Sequence, residues 1–182
     1  MTETPPPAPQ RTKLDTAANI AIIVACAAAV FVLLNNQFQF LGPQRAAPPA
    51  MPGQVAKGEV FPELQKVVPA GSSKALVMAL SPTCGFCTQS MPFYKRLVDE
   101  RNEKGSPVKV IAAVPVEGVR QEESTKLAEA GVATDSVVTL DFAKVKVAGT
   151  PTILLVDNKG KVLDVWVGKL DEGGEKAVLK VL

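Results

Sequence analysis

Ser-Pro-Thr-Cys-Gly-Phe-Cys, at residues 81–87, stands at the junction of two predicted elements. The apolar run Lys74–Leu80 predicts a buried strand before it, and a long helix is predicted from Cys84 to about Lys104. A helix start leaves about four N–H groups without intrahelical partners, and the helix dipole favours negative charge there. We therefore expect a thiolate at Cys84, with a pKa below the free value of ~8.5. Cys87, one turn further on, is placed to attack a mixed disulfide formed at Cys84.

The composition narrows the chemistry to the thiols. The 182 residues include three cysteines and no histidine, which excludes Ser–His and Cys–His catalysis and metal sites built on imidazole. The pair Cys84 and Cys87 resembles half of a zinc site, but the chain has no second pair to complete one. We predict neither a metal nor a cofactor. Two inert buried cysteines or a structural disulfide stay open as the alternative interpretation.

The charge balance argues against nucleic acid as a partner. Twenty basic and eighteen acidic residues leave a net charge of +2, and the sequence contains no long basic run. Phosphate binding needs clustered Lys and Arg.

The sequence on either side of the cysteine pair predicts an α/β domain. Strands and helices alternate as β-α-β-α-β-β-α after a first helix, which describes a central mixed sheet with helices on both faces. The other elements in this order are a helix at Phe61–Val68, a strand at Val108–Val114, a helix at Glu117–Ala130, a hairpin of Thr152–Val156 and Lys161–Val167, and a final helix at Asp171–Leu182. Val137–Leu140 is an additional short strand candidate outside this order.

The N-terminal part predicts a membrane anchor. Residues 1–16 are polar and rich in proline and are expected to be disordered, whereas Ala17–Leu34 is apolar except for Asn19. At ~1.5 Å per helical residue this run spans ~27 Å, close to the ~30 Å hydrocarbon core. Arg11 and Lys13 precede it, which favours a cytoplasmic N-terminus. A cleaved signal peptide is the alternative, but its apolar core is usually only ~7–15 residues long.

A linker is predicted between the anchor and the folded domain. Residues 35–54 include four prolines and several alanines, a composition typical of an extended spacer. The folded domain is expected at residues 55–182. We expect this domain to lie outside the cytoplasm, on the periplasmic side of a bacterial inner membrane, with the lipid bilayer contacted through residues 17–34.

Several positions beyond the cysteine pair resemble the thioredoxin superfamily. Pro92 follows Cys87 by five residues, Gly149-Thr150-Pro151 precedes an apolar strand, and Gly168 follows the last strand. The resemblance covers residues 55–182 and implies a thioredoxin fold in which Pro92 kinks the active-site helix. It also implies that Pro151 is cis beside the dithiol, that Thr150 pairs with an extended substrate segment, and that Gly168 lets the substrate approach. Apart from the family, a proline before a strand is usually a strand-start residue.

The sequence also departs from the thioredoxin pattern. Thr83 stands where most thioredoxins have Trp, Phe86 replaces the proline of their central dipeptide, and Met78 stands where they keep a buried acid. The string around the cysteines is similar to that of periplasmic disulfide isomerases. Pro151 lies 64 residues after Cys87, and this long spacing with a single anchor resembles the membrane-anchored TlpA-like envelope thioredoxins.

The resemblance implies a protein thiol–disulfide oxidoreductase that acts on disulfide-containing exported proteins. Cys84 is expected to be the nucleophile and Cys87 the resolving thiol, and a membrane or envelope redox partner is expected to reset them. Because Gly85 and Phe86 supply no charge, we expect a reductant or isomerase rather than a strong oxidant. A thioredoxin-fold binding or assembly module without redox turnover is the alternative. A peroxiredoxin-like peroxidase is disfavoured, since Thr83 directly adjoins Cys84.

Overall fold

The computed structural model describes Ile23 and residues 53–182. The predicted disordered N-terminus, the anchor except for Ile23, and the linker up to residue 52 therefore lie outside the described residues. Within the described part of the chain, no helix has both the length and the hydropathy that a bilayer crossing requires.

The described domain contains five strands and five α-helices, close to the predicted order. In chain order they are α1 (Pro62–Val67), β1 (Lys74–Ala79), α2 (Gly85–Gln89), α3 (Met91–Glu103), β2 (Lys109–Val114), α4 (Arg120–Glu129), β3 (Ser136–Thr139), β4 (Thr152–Asp157), β5 (Val162–Val167) and α5 (Glu172–Leu179). A short 3₁₀ turn at Glu117–Val119 leads into α4, so the first turn of the helix predicted at Glu117–Ala130 is not α-helical.

The five strands form one mixed sheet in the order β3-β2-β1-β4-β5. Strands β1, β2 and β3 are parallel, whereas β4 runs antiparallel to both β1 and β5. Strands β1, β2 and β5 end, and β4 begins, at the same end of the sheet. The loops after β1, β2 and β5 and the loop before β4 therefore lie there. We call this the site end, and the opposite end, with the β4–β5 turn, the turn end.

Alternation along β1 explains why both faces of the sheet are covered. Leu76, Met78 and Leu80 pack into an apolar cluster with residues of α3, α4 and α5. The intervening residues of β1 pack on the other face with Leu64 of α1. Successive side chains of a strand point to opposite faces, so a continuous apolar run supplies buried side chains to both faces of the sheet. The predicted mixed sheet with helices on both faces is confirmed.

The helix that follows the dithiol is broken, which corrects the prediction of one helix from Cys84 to Lys104. Helix α2 ends at Gln89, and Ser90 (φ −90°, ψ −3°) separates it from α3. Pro92 causes the break, because proline has no N–H to donate and its ring clashes with the carbonyl four residues earlier. The Phe86 carbonyl accepts from both the N–H of Ser90, at 3.1 Å, and its hydroxyl, at 2.8 Å, which fixes Ser90 at the break.

The hairpin turn was predicted correctly from its residues. The Asp157 carboxylate accepts hydrogen bonds from the N–H groups of Lys159 and Lys161, both at 2.9 Å. Gly160 has φ +77°, and a Cβ at this position would lie 2.3 Å from the Phe61 carbonyl oxygen. The turn therefore needs glycine both for its backbone conformation and for the close approach of the segment before α1.

Candidate active site

The dithiol lies at the site end of the sheet, in the loop between β1 and α2. The Cys84 N–H donates to the Ser81 carbonyl at 3.0 Å, which closes a turn directly before the cysteine. Cys84 then caps α2 with an extended backbone (φ −81°, ψ 107°). Both thiols are free; Cys84 is partly exposed, whereas Cys87 is only 1% exposed. The predicted pair is thus arranged with one sulfur accessible and the other buried one turn behind it.

Two contacts hold the Cys84 sulfur. The Cys87 N–H donates to it at 3.1 Å, and the thiol donates to the Thr150 carbonyl at 3.3 Å. Burial by itself raises the pKa of Cys84, but hydrogen bonds with the side chains of Cys87 and Thr150 and with the backbone at Cys87 and Phe86 outweigh it and leave the pKa below its ordinary value. Since α2 has only five residues, these local donors stabilise the thiolate rather than the dipole of the long helix that the sequence predicted.

The second thiol has the opposite electrostatics. Burial raises the pKa of Cys87 to about 12, and its hydrogen bond with Cys84 and the negative charge there act in the same direction. At neutral pH the accessible sulfur is therefore the better nucleophile, and the buried sulfur keeps its proton. This asymmetry agrees with the roles expected from the sequence.

The Gly-Thr-Pro loop lies against the dithiol. The Thr150–Pro151 peptide bond is cis, as the resemblance implied. The Thr152 hydroxyl donates to the Gly149 carbonyl at 2.8 Å, and the Gly168 N–H donates to the Pro151 carbonyl at 2.7 Å. Gly168 has φ +81°, a conformation that residues with side chains rarely adopt. The loop, the end of β5 and Cys84 therefore form one continuous surface.

The remaining predicted residues take different places. Phe86 is 58% exposed, and Thr83 is also exposed, with its hydroxyl 3.2 Å from that of Ser81. Pro92 lies at the start of α3 and acts on the site through the helix break. Val116 and Val167, just beyond β2 and at the end of β5, are also more than half exposed. Apolar side chains are thus exposed at the site end of the sheet.

A buried acid that the sequence analysis missed lies behind the dithiol. Glu123 of α4 is 1% exposed, and neither its carboxyl oxygens nor the buried Tyr94 hydroxyl has a hydrogen-bond partner among the described residues. Burial raises the pKa of Glu123; the charge of Glu122 adds to this, whereas that of Lys126 opposes it. Burial likewise raises the pKa of Tyr94, and both cysteines and Glu123 contribute through their charges. The sequence carried one signal, because Glu123 lies on the face of α4 that buries Leu127.

In the described region, no further metal-binding side chains lie with the two thiols to complete a metal site. Among residues 53–182, no cluster of three or more His, Cys, Asp or Glu side chains is arranged to hold a metal ion.

Comparison with known proteins agrees with the fold. Residues 61–180 match the sequence model of the family described as Thioredoxin-like domain. No curated protein sequence matches the chain. Among solved structures, the thioredoxin domain of a thiol-disulfide oxidoreductase from Bacteroides vulgatus matches with a TM-score of 0.50 and 16% identity, over 70% of this chain and 98% of that one. A thiol-disulfide isomerase from Corynebacterium glutamicum matches with a TM-score of 0.50 and 20% identity, over 74% of this chain and 95% of that one. At these identities the likeness concerns the fold.

Proposed function

The chain belongs to the thioredoxin-like family, and from this premise we propose that it is a thiol–disulfide oxidoreductase that works through Cys84 and Cys87. One observation carries the proposal: two free thiols one turn apart have opposite pKa shifts, and the one with the lowered pKa is the accessible one. An inert structural pair would have no need of this asymmetry.

The exchange follows from that asymmetry. The Cys84 thiolate attacks one sulfur of a client disulfide, forms a mixed disulfide, and releases the other client sulfur as a thiolate that takes up a proton. Cys87 then loses its proton and attacks the Cys84 sulfur, so that the second client thiol leaves and a Cys84–Cys87 disulfide forms. The client disulfide is reduced by two electrons, and the protein dithiol is oxidised by two electrons.

The surface around Cys84 suits an extended client segment. Thr150 presents its backbone beside the reactive sulfur, and the turn of backbone at Gly168 has no side chain to obstruct an approaching chain. An added strand would gain main-chain hydrogen bonds there, and Phe86 would contact its apolar side chains. We propose that the clients are partly unfolded proteins that contain disulfides.

The direction and place of the reaction are parts of the same proposal. Gly85 and Phe86 place no side-chain charge beside the thiolate, so its stabilisation depends on few donors. We propose a potential between the ~−270 mV of thioredoxin and the ~−120 mV of a strong oxidant, which suits a reductant or isomerase. The apolar run at residues 17–34 supports anchoring at a membrane, with exported clients and a membrane or envelope partner that resets the dithiol.

Disulfide reduction tests the proposed chemistry. Fully reduced protein should reduce a disulfide-linked model peptide, with a matching gain of one intramolecular disulfide, and Cys84→Ser should abolish both. A folded and fully reduced wild-type protein that leaves the peptide oxidised would support the binding or assembly module instead.

Fractionation tests the proposed location. Full-length protein should stay with the membrane after a carbonate wash, and its domain should be digested by protease added outside the inner membrane. Recovery of a soluble form that begins near residue 40 would support the cleaved signal peptide.

A further inference from the structure

A lysine from a distant helix contacts the loop that carries the nucleophile. The Lys126 ammonium, in the last turn of α4, donates a hydrogen bond to the Pro82 carbonyl, 44 residues away in the sequence. Pro82 is buried and lies two residues before Cys84, within the turn that the Cys84 N–H closes on Ser81. The side chain of Lys126 is 37% exposed, so its stem lies along the protein while its charge remains near solvent.

Two described hydrogen bonds join this turn to distant parts of the domain: the Cys84 thiol bonds to the Thr150 carbonyl, and Lys126 bonds to the Pro82 carbonyl. The other polar contacts of residues 81–83 are local: the Cys84 N–H bonds to Ser81, and the Ser81 hydroxyl lies beside that of Thr83. Pro82 has no N–H to donate. Among the described hydrogen bonds, the one from Lys126 is therefore what fixes the turn against a neighbouring helix.

Helix α4 provides a firm base for that contact. Leu127, next to Lys126, is 1% exposed and packs in the same apolar cluster as Cys87 and Tyr94. Glu122, one turn earlier, lies 3.5 Å from the Lys126 ammonium and directs it along the helix. The Lys126 ammonium thus contacts Glu122 on its own helix and the Pro82 carbonyl of the active-site loop.

We propose that Lys126 is a positioning residue of the exchange reaction, which holds the Ser81–Cys84 turn so that the Cys84 sulfur stays within reach of its donors. The Cys87 N–H and the Thr150 side chain stabilise the thiolate only if Cys84 is placed between them. A turn released from Lys126 samples other positions of Cys84, and the average stabilisation of the thiolate falls. No described hydrogen bond joins Lys126 to either sulfur, and in this proposal it acts through the Pro82 carbonyl.

The titratable groups around the sulfur are few. They are Cys87 on α2 and Tyr94 on α3; Glu123 on α4 acts on Tyr94, and both Tyr94 and Glu123 are buried with raised pKa values. Of these, only Glu123 is also under the influence of Lys126. Comparisons made in a Glu123→Gln background therefore separate an effect through the loop from an effect through this acid.

The test compares Lys126 with a matched lysine. Lys176 of α5 pairs with Glu172 four residues earlier, as Lys126 pairs with Glu122, but it is 72% exposed and contacts no residue of the 81–87 loop. Cys84 alkylation against pH would be measured for wild type, Lys126→Met, Lys126→Arg and Lys176→Met, each also in the Glu123→Gln background, with thermal unfolding in parallel. We expect Lys126→Met to raise the Cys84 pKa and to slow its alkylation near pH 6 by about five-fold, as for the loss of one partly exposed charge-assisted hydrogen bond.

The controls decide the outcome. Lys126→Arg, which keeps a charged donor, should restore most of the wild-type profile, and Lys176→Met should match wild type throughout. The proposal is overturned if Lys126→Met lowers only the unfolding temperature, or if both Met variants shift the Cys84 pKa equally. The proposal that Lys126 assists the exchange reaction rests on the proposed function. The alkylation measurement, however, needs no client protein. Failure of wild type to reduce a peptide disulfide would thus count against the function alone.

Discussion

The two ends of the sheet are held by different kinds of contact. At the site end, the Cys84 sulfur depends on Thr150, a residue 66 positions away in the sequence. At the turn end, Asp157 satisfies the N–H groups of Lys159 and Lys161, two and four positions away. The hydrogen bonds within the turn can therefore form once β4 and β5 pair, and the Phe61 N–H then bonds to the Gly160 carbonyl from outside, whereas the contacts of the Cys84 sulfur exist only when several loops have met. We infer that changes at the turn end act on stability, and that changes at the site end act first on thiol reactivity.

The largest effect should come from the nucleophile. Cys84→Ser should abolish disulfide reduction, because the hydroxyl does not form a thiolate at neutral pH. The unfolding temperature should change little, since serine can still accept from the Cys87 N–H. Peptide reduction and thermal unfolding measured on one sample check both parts. Residual turnover in this variant would show that Cys87 acts without Cys84, and it would contradict the assignment of Cys84 as the nucleophile.

A glycine at the turn end should separate stability from reactivity. Gly160→Ala places a Cβ 2.3 Å from the Phe61 carbonyl oxygen and keeps a residue with a side chain at φ +77°. The free energy of unfolding should fall by more than about 1 kcal/mol, from the left-handed conformation alone. Cys84 alkylation of the folded variant should equal that of wild type. Denaturant unfolding and Cys84 alkylation are the two measurements. Slowed alkylation would contradict the claim that a change at the turn end leaves thiol reactivity unchanged.

Gly168 is the matched glycine at the site end. Its φ of +81° is similar, but an added Cβ has no neighbour within 4 Å. Gly168→Ala should cost about 1–2 kcal/mol of stability through the backbone alone. Unlike Gly160→Ala, it should also slow the reduction of a peptide disulfide more than that of a small-molecule disulfide, because the added methyl group lies where a chain approaches Cys84. Equal slowing of both would argue against a client path over Gly168.

The buried acid should give the domain a distinctive dependence of stability on pH. Burial raises the pKa of Glu123 above its usual value of 4.5, so the folded state holds this proton more tightly than the unfolded state. Its contribution is then fully favourable below about 4.5 and is lost as the pH rises through the higher folded pKa. Glu123→Gln should remove this loss, so that the variant gains stability relative to wild type as the pH rises. A constant difference across the pH range would show that the pKa of Glu123 is the same in the folded and unfolded states, and would contradict the raised pKa.

The smallest effect should come from the exposed aromatic ring. Phe86→Ala removes a side chain that is 58% exposed, so the unfolding temperature should stay within about a degree or two of wild type. Reduction of an apolar peptide disulfide should slow by about three-fold, while reduction of a charged one should not. Rates for the two peptides at equal thiolate concentration give the comparison.

The strands and most helices were predictable because their signals are local. The apolar run at Lys74–Leu80 predicts its strand, and Asp157 and Gly160 predict their turn, from neighbouring residues alone, although the turn also contacts Phe61 in the structure. Pro92 predicted a kink in the helix after the dithiol, and the structure shows a complete break at Ser90. The contacts of Lys126 and Glu123 were not predictable, because each depends on how α4 packs against a loop or helix far away in the sequence.

The central claim is that Cys84 attacks and Cys87 resolves, and a trapping measurement tests it most directly. Reduced Cys87→Ser would be mixed with a disulfide-linked peptide at neutral pH, and the product would be mapped by mass spectrometry. The lowered pKa of Cys84 and the raised pKa of Cys87 predict a stable mixed disulfide at Cys84 in this variant, and much slower capture at Cys87 in Cys84→Ser. Faster capture at Cys87 would contradict the account.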